Sequence, residues 1–246
     1  MQKALDLAAL ASGRTNPNPM VGAVVVKNGL IVGEGYHRQA GSPHAEVYAL
    51  SQAGEQARDA TLYVTLEPCS HYGRTSPCAD AIIRAGIAKV VVATEDPNPQ
   101  VSGKGLGRLR EAGIEVEVGL LKTEACKLNE VFFKYIKTGT PFVALKTAMT
   151  LDGKIASYSG DSKWITGETA RSYVHQLRNT HDAIMAGIGT VLKDDPLLNT
   201  RLEGADSKDP VRVIIDGRLR LPLDSKIART AAHQRTMVFC SADADA

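Results

Sequence analysis

The stretch Lys89-Val-Val-Val-Ala-Thr94 limits the fold more than any other part of the chain. Its valines run without a polar break, so the strand it forms is a buried one. Strands of this kind belong to sheets covered by helices on both faces. The flanks agree: Cys78–Gly86 reads as a helix ended by glycine, and another helix is expected around Leu106–Ala112. Upstream, VGAVVVK and LIVGEGY flank Asn28-Gly29, a strong hairpin signal. MQKALDLAALA reads as a first helix that Pro17 and Pro19 break. HAEVYALSQAGEQA reads as a second helix and TLYVTL as a strand. IEVEVGL then predicts a strand, and Thr123–Ile136 one continuous helix.

Lys137-Thr-Gly-Thr-Pro141 is the expected boundary. Beyond it the alternation restarts, with FVALKTAM, DAIMAGI, VRVIID and TMVFC as strands and GETARSYVHQLRN as a helix. The fold class expected is therefore α/β, in two domains, 1–138 and 139–246. With 43% hydrophobic residues there is enough apolar material for cores. A net charge of +2 and an aromatic content of 5% argue against a nucleic-acid partner. The N-terminus carries Lys3, Asp6 and Arg14, too polar for a secretory signal. No run approaches the ~18 apolar residues of a membrane span. A cytoplasmic protein is expected, with no membrane partner. In a reducing compartment its four cysteines are better ligands or catalytic groups than disulfides.

EPCSHYGRTSPC, Glu67 to Cys78, holds two of those cysteines, each preceded by proline. His44-Ala-Glu46 lies upstream. One histidine and two cysteines offer zinc three ligands and leave a fourth position for water. Glu46, two positions from His44, would stand beside the metal as a proton carrier without ligating it. Expected helix starts at His44 and Cys78 favour a thiolate. The pattern matches the H-x-E…P-C-x-x-C arrangement of zinc deaminases except in one respect: eight residues separate the cysteines instead of two. His71 is a rival ligand, or a polar loop residue facing the pocket. Two plain packing cysteines are the bland alternative.

TNPNPMVGAVVV, HAEVYAL, EPCSHYGRTSPC and EDPNPQVSGKG, in this order, closely resemble the bacterial bifunctional riboflavin-biosynthesis family. That family joins a diaminohydroxyphosphoribosylaminopyrimidine deaminase to a 5-amino-6-(5-phosphoribosylamino)uracil reductase, and the wide cysteine spacing is usual in it. The resemblance implies a cytidine-deaminase-like α/β/α domain followed by a dihydrofolate-reductase-like α/β domain. It implies zinc on His44, Cys69 and Cys78, with Glu46 as the proton shuttle. It also implies substrate contacts from Asn18, His37, His71, Arg74, Asp96 and Asn98. Asn18 and Asn98 each precede a proline, so a plain turn role stands beside the binding one.

The second half is harder to read from spacing. Gly187 and Gly189 make a lone G-x-G, a weak signal, and the bland alternative for Trp164 is core packing. KTAMTLDGKIA, GDSKWITG, AGIGTVLKDDPLLNTR and VRVIIDGRLRLP resemble the reductase half, which uses NADPH. By motif, Ala148, Trp164, Thr190, Asp194 and Gly217 would contact NADPH. Lys146, Ser162, Arg178, Leu198 and Arg201 would contact the phosphoribosyl substrate. The family's reductase continues past the equivalent of residue 246, so the expectation is an incomplete reductase site. The chain is expected to act on a small phosphoribosyl pyrimidine, as a homo-oligomer. The rival readings are another zinc nucleoside or tRNA deaminase, and a zinc-stabilised scaffold without activity.

Overall fold

Asn28 and Gly29 take positive φ angles of 50° and 78°, a turn whose twist matches that of two antiparallel strands. It joins β1 (Gly22–Lys27) to β2 (Leu30–Tyr36) in the computed structural model, which describes residues 1–71, 76–99, 101–202 and 207–244. The backbone divides into two units, Met1–Ala144 and Leu145–Ala246.

In the first unit β1 also pairs antiparallel with β3 (Thr61–Val64). Then β4 (Lys89–Val92) pairs parallel with β3, and β5 (Glu115–Val118) parallel with β4. The strand order is β2-β1-β3-β4-β5. The valine run lies at the heart of this sheet, with Val90, Val91 and Val92 at most 2% exposed. The helices α2 (Ala45–Ala53), α3 (Cys78–Arg84) and α4 (Lys104–Glu111) cover one face. They contribute Ala45, Ala49, Ala79, Ile82, Leu106 and Leu109 to a core shared with Ala23, Val25, Leu62 and Val90. On the other face α1 (Gln2–Ala9) and α5 (Lys122–Leu128) pack Leu5 and Ala125 with Ala93. The result is an α/β/α layer structure.

Two expectations are corrected here. The single helix over Thr123–Ile136 is two helices, α5 and α6 (Glu130–Thr138), broken at Asn129. Asn129 is 2% exposed, and its side chain accepts from the Met20 N–H and donates to the Met20 carbonyl, both at 2.8 Å. A distant backbone recruits the residue, and local propensity yields. The strand expected at FVALKTAM is absent. Residues 141–149 have no regular structure, and Val143 and Leu145 are 79% and 90% exposed. An apolar run alone does not make a strand when no neighbour pairs with it.

In the second unit β6 (Ala183–Gly187), β7 (Val211–Ile215) and β8 (Thr236–Phe239) form a parallel sheet in that order. The helices are α7 (Glu168–Thr180), α8 (Ile188–Asp194) and α9 (Lys226–Arg229), of which only α7 follows from the sequence pattern. Ile188, Val191, Leu198, Ile214 and Ile227 form its core. Arg212 lies fully buried beside them and donates to the Leu197, Ile227 and Gln234 carbonyls and to the Thr230 and Thr236 hydroxyls. Five oxygens thus meet its five N–H donors, the condition for burying a cation without a carboxylate.

The seat of α2 on β2 is set by glycine. A Cβ on Gly33 would stand 2.1 Å from the Ala49 carbonyl oxygen, and one on Gly35 2.4 Å from that of Ala45. Both partners are helix backbone and cannot turn aside. Gly35→Ala should therefore destabilise the first unit by about 1–3 kcal/mol, the usual cost of overpacking, read as a lower urea midpoint.

Candidate functional site

The parallel strands β3 and β4 end at one edge of the first unit's sheet, where α/β folds collect their ligands. Three helix N-termini open there. His44 is the N-cap of α2, Pro77 that of α3 and Gly103 that of α4. Beyond β3 the chain runs through Thr65, Leu66 and Glu67 to Pro68 and Cys69. The segment is tied to its neighbours by the Thr65 N–H to the Gly22 carbonyl and the Glu67 N–H to the Thr94 carbonyl.

One donor atom each from His44, Cys69 and Cys78 lies within 4.8 Å of the others. The His44 Nδ1 is 3.1 Å from the Cys78 Sγ and 3.6 Å from the Cys69 Sγ. Tetrahedral zinc, with bonds of ~2.3 Å to sulfur and ~2.0 Å to nitrogen, sets such donors roughly 3.4–3.8 Å apart. The set therefore fits zinc in both chemistry and spacing. His71, the rival ligand, is not in the cluster.

The start of α3 serves the thiol pair through its first amide. The Cys69 Sγ accepts the Cys78 backbone N–H at 3.3 Å. A hydrogen bond from the Cys78 thiol is the main reason the Cys69 thiol is pulled down to about 4, with His44 adding to it. Cys78, the donor in that bond and itself buried, is pushed up. His44 is raised, first by its bond to Cys69. Glu46 sits in the first turn of α2 at 3% exposure. Burial raises its carboxyl above the usual range, and His44 opposes the shift. A carboxyl poised upward in this way suits proton exchange near neutral pH.

His44, Glu46 and Cys69 open onto a cavity of about 220 Å³. Asn18, His37, His71, Asp96 and Asn98 line it too, so five of the six expected substrate residues meet at one cavity. Arg74, the sixth, lies outside the described residues. Both His37 ring nitrogens are committed. Its Nδ1 is 3.1 Å from the Pro43 carbonyl, which can only accept, so that nitrogen carries the hydrogen. Its Nε2 must then accept the Asn18 Nδ2–H at 3.0 Å. Burial lowers the His37 pKa and keeps the ring neutral. Burial raises Asp96, whose Oδ1 accepts the Asn98 N–H at 2.8 Å. Glu67, Val101 and Phe132 complete parts of the wall. Sequence reasoning assigned them nothing, and Phe132 gave no local signal because its helix lies far along the chain.

The second unit treats its candidates unevenly. Arg178, Leu198 and Arg201 come together around Asn199. The Arg178 Nη1 donates to the Asn199 carbonyl at 3.0 Å and the Arg201 Nη1 to its Oδ1 at 2.9 Å. His175, which sequence reasoning missed, joins them by accepting the Arg201 N–H at 3.1 Å. It stands one helical turn before Arg178, the only signal the sequence held. Burial first, then the nearby Arg201, lowers Arg178. Its buried Nε has no hydrogen-bond partner among the described residues. Lys146, Ala148, Ser162 and Trp164 lie in segments without regular structure, and Thr190 and Asp194 on the exposed side of α8. Gly217 follows β7 in a turn. Trp164 is no core residue: it is 71% exposed, with the Arg171 guanidinium 4.5 Å from its ring centre.

Comparison with known proteins follows the same two-part division. Residues 1–94 match the cytidine and deoxycytidylate deaminase zinc-binding region, and residues 141–246 the RibD C-terminal domain. The riboflavin biosynthesis protein RibD of Aquifex aeolicus is 58% identical over 94% of the chain. The chain spans 64% of that relative's length. Acinetobacter baumannii RibD aligns with a TM-score of 0.90 at 52% identity, over 97% of this chain and 68% of that one. A deaminase/reductase from Thermotoga maritima, titled with both of the activities named above, aligns with a TM-score of 0.91 at 49% identity. That alignment covers 100% of this chain and 70% of its counterpart.

Cys78→Ala should strip most of the zinc from the purified protein, whereas His71→Ala should keep it. Metal analysis by mass spectrometry reads both, and zinc lost from the His71 variant would place that ring among the ligands.

Proposed function

The chain belongs to the RibD family of riboflavin-biosynthesis proteins, and from that premise we propose that its first unit is a zinc-dependent deaminase of 2,5-diamino-6-(5-phosphoribosylamino)pyrimidin-4(3H)-one. The proposal rests on one observation: a His-Cys-Cys donor set and a buried, upshifted Glu46 stand together at the wall of a cavity lined by amide and carboxyl groups. Zinc held by His44, Cys69 and Cys78 would supply a Lewis acid that lowers the pKa of a water toward ~7. Glu46 takes a proton from the attacking water and returns it to the departing amine, so that the ring carbon exchanges C–NH₂ for C=O and ammonia leaves. His37 holds the Asn18 amide by its NH₂, leaving the Asn18 oxygen to accept from a ring amine or N–H. Asp96 and Asn98 accept and donate in the same cavity. His71 and Arg74 are the candidates to bind the phosphate.

The second unit belongs, on the same premise, to a reductase half that turns the ribosyl chain into ribityl in the whole protein. NADPH would supply the hydride there, held by Ala148, Trp164, Thr190, Asp194 and Gly217. Arg178 and Arg201 bring two guanidinium groups and a buried, unpartnered N–H to one spot, a fit for the substrate phosphate. Lys146, Ser162 and Leu198 complete that contact. A net charge of +2 supports a small-molecule substrate over a nucleic acid.

Ammonia should appear with the phosphoribosyl diaminopyrimidine and not with cytidine or RNA. Glu46→Gln should lower kcat by about 10²–10⁴-fold, the usual weight of a general acid–base group, with zinc content unchanged. Full turnover in that variant would sink the shuttle role.

A further inference from the structure

Glu67 is 4% exposed and its two oxygens face four backbone N–H groups. Its Oε2 accepts from Asp96 at 3.2 Å and from Gly103 at 3.0 Å. Its Oε1 accepts from Gly105 at 3.0 Å and from Leu106 at 3.3 Å. Three of these donors are the N-cap and first turn of α4, which has no side-chain cap of its own. The fourth belongs to Asp96, at the cavity wall. A helix N-terminus leaves its first amides without intrahelical partners and carries a partial positive charge. Glu67 meets both needs from another element, two residues before Cys69.

We propose that Glu67 is a positioning residue of the deaminase site, whose carboxylate clamps the turn bearing Asp96 and Asn98, and the start of α4, to the segment that carries Cys69. This rests on the deaminase function proposed above. The clamp works by charge and by the number of acceptor lone pairs, not by bulk. Both oxygens are needed, because each takes two donors. Asp96 in turn accepts the Asn98 N–H, so the turn moves as one piece. The substrate wall is thereby held at a fixed distance from the metal ligands, although no ligand lies on it.

Glu67→Gln isolates the effect. The amide keeps the shape but replaces one acceptor oxygen with an NH₂ that faces two N–H groups. In the full-length chain, KM for the phosphoribosyl diaminopyrimidine should rise on the order of tenfold, the equivalent of one well-formed contact. Zinc content should stay unchanged, and kcat within about threefold of the parent enzyme. A KM equal to that of the unaltered protein would overturn the proposal. So would zinc and kcat falling together at constant KM, which marks a merely structural role. Hydrogen exchange on the unaltered chain gives a second readout that needs neither the variant nor turnover. The amides of Asp96, Gly103, Gly105 and Leu106 should be protected like those of β4, and exchange at the rate of an open loop would refute the clamp. If the unaltered protein released no ammonia, the deaminase assignment would fail while the exchange data still judged the clamp.

Discussion

Backbone contact between α2 and β2 fixes the rest of the first unit. Gly33 and Gly35 leave no side chain between strand and helix, so the helix lies directly on the sheet. Its register then decides where His44 and Glu46 emerge. Small residues continue the theme inside the layer, with Ala45, Ala49 and Ala53 all buried. A larger residue at any of these points would tilt α2 and swing its N-terminus away from the cysteines. The metal site thus inherits its precision from a packing contact that contains no functional group.

At the open edge of the sheet the electrostatics follow from three helix starts. Each contributes unpartnered N–H groups to one small region, and each is answered by an anion or an acceptor. The Cys69 sulfur accepts the first amide of α3. The Glu67 carboxylate covers the start of α4. Glu46 lies within the first turn of α2 and is buried deeply enough to be pushed toward its neutral form. One carboxyl is occupied by four backbone amides, and the other stands beside the metal donors at the cavity.

The sequence revealed what local chemistry decides. The hairpin at Asn28-Gly29 and the strand at Val90–Val92 could be read because each depends on near neighbours. So could the His44–Cys69–Cys78 set, because metal ligation leaves a strict residue pattern. The break at Asn129 stayed hidden, since its cause is Met20, far back in the chain. Glu67 stayed hidden for the same reason: a glutamate beside proline carries no sign of the four amides it will meet. The FVALKTAM segment misled in the opposite direction, being strand-like in composition with no strand beside it.

The Asn129 bridge has a consequence for modularity. The stretch that matches the deaminase zinc-binding region ends at residue 94 and contains every metal donor. The cavity does not end there: Asp96, Asn98, Val101 and Phe132 all belong to its wall. Asn129 ties the helix pair that carries Phe132 to Met20, which follows the cavity residues Asn18 and Pro19 in the chain. The donors that could hold the metal and part of the wall around their cavity thus come from different stretches of the chain. The stretch up to residue 94 is similar to the deaminase zinc-binding region and also brings Asn18, His37 and His71 to the cavity, while the later stretch is laced back to it by one asparagine. Changes beyond residue 94 would reshape that part of the cavity while the donor set stayed as it is.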